Sequence, residues 1–148
     1  HYTDTHPCWR QSCRRLGERG YLRGVVIDVV YDHMLTKHWG NFATQSMREF
    51  LDQFYCEAGA YAPELPDDAR AFVESVVEYD RLGRYGDPLS VHRAMERIDE
   101  RLSDRIRRRE TTSQYIPLLA DAYAGIEQDF LAFFPDLMAH ASEVSSGN

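Results

Sequence analysis

Residues 25–39, VVIDVVYDHMLTKHW, decide how this chain is read. Apolar side chains occupy almost every turn with no strand-like alternation, so the run predicts a largely buried helix. Gly40–Asn41 then supplies a stop. Inside this run stand Asp28, Asp32 and His33. At 3.6 residues per turn the two aspartates share a face, and His33 lies beside the second. A carboxylate removed from water costs about a kilocalorie per mole or more unless something compensates it. Two compensations suit the spacing. Asp28 pairs with Arg23 or Arg14 and Asp32 with Lys37, while His33 satisfies itself in the core. Alternatively, the three form a divalent-metal site or acid–base cluster, since carboxylate oxygen and imidazole nitrogen are typical ligands of Mn²⁺, Mg²⁺ or Fe.

The flanking segments carry the same period. Pro7 opens a first helix whose apolar face is Trp9, Cys13 and Leu16, ending near Gly17–Gly20. Ser46 and Glu49 have capping-box spacing before Met47, Phe50, Leu51, Phe54 and Tyr55, and Pro63 and Pro66 close that helix. A fourth helix is expected over 67–82, broken by Gly83–Gly86. A fifth follows, capped by Asp87 and opened by Pro88, with Val91, Met95, Ile98 and Leu102 at helical spacing. The last starts near Ser113, and Pro135 is expected to interrupt it before a final turn or two. The expected class is all-α, a single helical domain of about six helices spanning 1–148.

Length and composition narrow the functional classes. A chain of 148 residues, 43% apolar and 12% aromatic, can bury a real core. No apolar run approaches the roughly 20 residues that span a bilayer, so no membrane partner is expected. A net charge of −7 argues against a general nucleic-acid binder. Cys8, Cys13 and Cys56 lack zinc-type spacing and read as three free thiols in a reducing cytoplasm. The charge is uneven. Residues 49–82 hold nine acids against two bases, residues 93–109 seven arginines against four acids, and the first 24 residues five arginines against two acids. Two basic segments on an acidic chain suggest a local anion-facing surface.

Further candidates follow from residue type. Asp4 and His6, in TDTHP, are either ordinary capping groups before Pro7 or polar groups that join the carboxylates of the second helix across a cleft. His38 suits a helix C-terminus, where the macrodipole favours it. His92 and His140 read as solvated. Arg93, Arg97, Arg101 and Arg105 recur every four residues among Glu96, Glu100 and Asp104, a pattern that predicts a salt-bridged exposed face. Arg107, Arg108 and Arg109 are less neutralised. With Arg14, Arg15, Arg19 and Arg23 they either meet a phosphate or acidic protein through bidentate forks, or form a solvated basic edge.

TDTHP, IDVVYDHMLTKHW, YDRLGRYG and IEQDFLAFFPDLMAHAS, in this order and separation, resemble the acyl carrier protein phosphodiesterase family, which is related to the all-helical HD-type metal-dependent phosphohydrolases. The resemblance covers essentially the whole chain and the later three-quarters or so of the family domain. The family's opening segment, with its His-rich first helix and the HR-x-x-D stretch before TDxHP, falls ahead of His1, so an HD-like bundle lacking its N-terminal part is expected. The resemblance implies cleavage of the phosphodiester that joins 4′-phosphopantetheine to acyl carrier protein, a divalent cation with Mn²⁺ preferred, and a cytoplasmic role in lipid metabolism and fatty acid biosynthesis. It places Asp28, Asp32 and His33 on the family's D-x-x-x-DH segment and Asp4 and His6 on its TDxHP segment. Arg14, Arg15 and Arg107–Arg109 become the expected docking residues for the acidic carrier protein. The rivals are a catalytically silent helical module that binds such an acidic partner, and an HD-type phosphohydrolase acting on nucleotides.

Overall fold

The computed structural model describes residues 2–78, 83 and 87–146. These form α1 (Tyr2–Thr5), α2 (Pro7–Arg15), α3 (Arg23–Lys37), α4 (Trp39–Phe42), α5 (Met47–Tyr61), α6 (Asp67–Glu78), α7 (Pro88–Arg101), α8 (Asp104–Arg107) and α9 (Ile116–Ser146). No strand occurs among the described residues. The class is all-α. Six helices longer than a turn match the number expected, and α1, α4 and α8 are single turns that the sequence pattern did not resolve.

Helix α3 runs through the middle. Val26, Ile27, Val30, Tyr31 and Met34 are buried in one cluster with Leu16, Met95, Leu119, Ile126, Phe130 and Phe133. Burying side chains of this size contributes about 2 kcal/mol each. Tyr31 meets Phe130 edge-on at 5.2 Å, which locks α3 against α9. Helix α2 crosses α9 through Ser12, whose hydroxyl bonds Tyr31 Oη (3.0 Å) and donates to Asp129 (2.9 Å). Met95 brings α7 onto the other side of α3.

Several local expectations hold in atomic detail. Ser46 and Glu49 form both halves of a capping box at α5, and Asp87 accepts from the Leu89 amide at the start of α7. Residues 79–82 and 84–86, where the fourth helix and its break were expected to end, lie outside the described residues, as does most of YDRLGRYG.

Three expectations are corrected. Helix α9 is continuous for 31 residues with Pro135 inside it. Proline forfeits one backbone bond there, and Phe130 and Phe133, buried before it, with Leu137 packed against the core after it, hold the helix on both sides. Helix α7 stops at Arg101, so Arg105 lies on a separate turn and the four-residue arginine period has no common face. No ion pair forms between those arginines and Glu96, Glu100 or Asp104 among the described residues. Instead, Arg107 folds back and donates to the carbonyls of Asp99 (3.0 Å), Glu100 (2.7 Å) and Leu102 (3.0 Å), closing the C-terminus of α7. His140 is half-buried and stacks on Tyr2 at 4.1 Å rather than standing in water.

The entry to α3 is pinned from a distance. Glu110 is 8% exposed and accepts from the Tyr21 and Leu22 amides, both at 2.9 Å, and from Tyr115 Oη at 2.5 Å. Burial pushes its carboxyl upward, but these donors outweigh that and hold it below the usual range. Gly20 passes directly over this group with φ +134°, and a Cβ there would overlap the Tyr115 hydroxyl.

A carboxylate pair and a separate histidine on helix three

Asp28 and Asp32 lie on the outward strip of α3, one turn apart. Both are exposed, which corrects the enclosed carboxylates that the apolar run predicts. Seven residues of α3 are buried, His33 among them, and the aspartates occupy the narrow face left over. Among the described residues neither carboxylate pairs with a cation. Arg23 donates to the carbonyls of Gly17 and Gly20, and Lys37 pairs with Glu127 at 2.7 Å. The Arg23, Arg14 and Lys37 pairings open in the sequence are therefore not formed among the described residues.

One donor does reach the pair. Trp9 Nε1 donates to Asp28 Oδ1 at 2.9 Å. Gly24 makes this possible, because a Cβ there would crowd the indole at 3.1 Å. Desolvation raises the Asp28 carboxyl above its ordinary value, the Trp9 bond opposes this, and the charge of Asp4 adds to it. Asp32 is pushed up to about 6, first by desolvation and then by the charge of Asp28. The result is a pair of carboxylates on α3 with Asp4 of α1 close enough to add its charge, and among the described residues neither Asp28 nor Asp32 has an ion-pair partner.

His33 does not join it. It sits about 100° around the helix from Asp32, is 2% exposed, and bonds Tyr123 Oη through Nε2 at 3.1 Å. Tyr123 also accepts from Lys37 Nζ (3.2 Å), and Glu127 takes both Lys37 and His38, the latter at 2.6 Å. Lys37 and His38 hold the Glu127 carboxyl below the usual range. His6 belongs to a third location. Its Nδ1 accepts the Cys8 amide and caps α2, which leaves Nε2 to donate to Asp136 at 3.3 Å. Of the five residues singled out as metal ligands, the structure gathers Asp28, Asp32 and the charge of Asp4, and directs His6 and His33 elsewhere. Among the described residues no group of three or more His, Cys, Asp or Glu is placed to hold a metal ion.

Trp9, Tyr123 and Glu127 were not among the residues expected to matter. Trp9 looked like core on an amphipathic face, and only the crossing of α2 over α3 turns its N–H toward Asp28. Of the basic candidates, Arg15 is committed to Asp129 at 2.8 Å and Arg107 to α7. Arg14 lines an open recess of about 430 Å³ on α2, and Arg108 and Arg109 are exposed. The three cysteines are free thiols. No helix among the described residues is long and apolar enough to cross a membrane.

The donor set can be weighed for a divalent cation. Hard carboxylate oxygens, uncompensated charge and a raised carboxyl suit Mg²⁺ or Mn²⁺ in type. Two carboxylates one turn apart suffice where water and phosphoryl oxygens complete the sphere, which is how such ions are commonly held. The pair fits in chemistry while supplying only part of a coordination shell.

No curated protein and no solved structure matches this chain. The sequence model of the acyl carrier protein phosphodiesterase family, by contrast, matches residues 1–137, taking in α1 to α8 and most of α9, with both aspartates and Trp9 inside the match. The chain belongs to the acyl carrier protein phosphodiesterase family.

Proposed function

We propose that this chain is a metal-dependent phosphodiesterase that releases 4′-phosphopantetheine from holo-acyl carrier protein, leaving the apo-protein. Family membership supports the reaction class, and one local observation supports the site: two carboxylates one turn apart on α3 that pair with no cation among the described residues. A divalent ion, when bound, polarises a phosphoryl oxygen and lowers the pKa of a water at the site. Asp28 and Asp32 would hold it, with Mn²⁺ the expected species. Trp9 fixes one oxygen of Asp28 and so sets which lone pairs face outward. Desolvation and the charge of Asp28 raise the Asp32 carboxyl, and a cation held between the two would relieve that repulsion. Arg14, Arg108 and Arg109 present unneutralised guanidinium groups that suit an acidic carrier protein and would steer its approach.

Phosphopantetheine release is read by the mass change of holo-acyl carrier protein incubated with the enzyme and Mn²⁺. Asp28→Ala and Asp32→Ala are each expected to abolish release while helicity stays near wild type. Retained turnover in both variants would remove the assignment. Loss of release with Mn²⁺ affinity intact would leave the aspartates in catalysis but not in metal binding. A silent module that only binds an acidic partner gives no release in the wild type at any metal concentration.

A further inference from the structure

Behind the carboxylate pair, on the opposite side of α3, lies a cavity of about 380 Å³ that the hydrolase reading does not use. Val30, His33 and Leu119 form a buried floor, and Pro88, His92 and Ala120 form an exposed rim. Its wall is largely aliphatic. His92 stands at the rim, and on one side of the floor His33 Nε2 meets Tyr123 Oη. Tyr123 Oη accepts from Lys37 Nζ, whose charge Glu127 balances, and with His33 Nε2 donating to the same oxygen the Tyr123 proton is left for an acceptor in the cavity.

Volume and lining together specify a ligand. An apolar cavity of 150 Å³ takes up benzene, so one of this size has room for an apolar group of roughly ten carbons. Pockets that bind small molecules pair such walls with a few convergent polar groups that fix orientation. Here that group is the Tyr123 hydroxyl, a donor held in place by His33 and Lys37, which selects a carbonyl or carboxylate oxygen. We infer that the cavity between α3, α7 and α9 binds a medium-length fatty acyl group, its chain on the aliphatic wall and its carbonyl end at Tyr123. A free fatty acid and an acyl thioester both present this chemistry. The inference does not rest on the hydrolase reading, and the release assay on unacylated carrier is blind to it.

The test is calorimetric titration of the full chain with decanoate, butyrate and decanoyl-pantetheine, without added metal. Decanoate is expected to bind saturably at one site, at least tenfold more tightly than butyrate. Tighter binding of the thioester would assign the carrier-bound acyl group, and tighter binding of the acid would assign free fatty acid. Ala120→Trp blocks the mouth from an exposed position and should weaken decanoate at least tenfold. Nitrogen spectra of the imidazoles should show the His33 Nε2 resonance moving with decanoate and not with butyrate. Absence of saturable decanoate binding, equal affinity for butyrate, or unchanged affinity in Ala120→Trp would overturn the inference.

Discussion

Replacing Asp32 by Asn separates what the fold prefers from what the site requires. The Asp32 carboxyl is raised from 3.8 to about 6, so folding disfavours its ionised form. An enclosed carboxylate raised this far would cost about 3 kcal/mol. Asp32 is exposed, and screening reduces this to about 1 kcal/mol. The sign follows from linkage. Between about pH 4 and pH 6 the folded protein binds more protons at this residue than the unfolded chain, so its contribution to stability falls as pH rises. Above pH 6 the penalty is complete, and below pH 4 it vanishes. Asp32→Asn keeps the shape and discards the charge. It should match wild type near pH 3.5 and exceed it by about 1 kcal/mol at pH 7, a Tm rise of roughly 2 to 4 °C for a chain of this length. Mn²⁺ should reverse the order, because a ligand at a hundred times its Kd adds about 2.7 kcal/mol to the wild type and nothing to a variant that does not bind it. Calorimetric melts of both proteins at pH 3.5, 5 and 7, with and without Mn²⁺, measure all of this. An Asn variant less stable at pH 7, or a gain that does not vary with pH, would refute the view of Asp32 as a strained carboxylate awaiting a cation.

Other perturbations reach different parts of the molecule. Trp9→Phe removes the indole donor to Asp28 and should weaken Mn²⁺ by about tenfold in a direct titration, the scale usual for partners of metal ligands, with little change in Tm. Glu110→Ala strands the Tyr21 and Leu22 amides and the Tyr115 hydroxyl, and should cost about 3 kcal/mol in a denaturant melt. Glu110 also sits below its ordinary range, so the stability it contributes is lost as pH falls through its folded pKa, opposite in sign to Asp32. Reversing Arg108 and Arg109 together to Glu should raise KM for holo-acyl carrier protein about tenfold, leave kcat alone and flatten its salt dependence. Arg107 is left out of that variant because its loss would also uncap α7.

Much of the fold was open to inspection from the residues alone, because it rests on local rules. The apolar saturation of residues 25–39 required a buried helix, the Ser46–Glu49 spacing a cap, and Asp87–Pro88 a helix start. Pro135 misled, since a proline ends a helix only when nothing downstream holds the chain, and Leu137 beyond it packs against the core. The arginine period misled for the same kind of reason: it presumes one helix, and Ser103 divides it into two.

For the site, the sequence by itself determined which groups exist and that Asp28 and Asp32 share a face, because helical periodicity is a property of the backbone. Only tertiary structure decided their surroundings. The crossing of α2 over Gly24 delivers the Trp9 N–H to Asp28, and α9 supplies Tyr123 and Glu127, drawing His33 inward and Lys37 away from Asp32. Adjacent residues 32 and 33 thus serve opposite sides of one helix. The rotation of 100° between neighbours is written in every sequence, but what waits on either side is set by helices that pack from far along the chain.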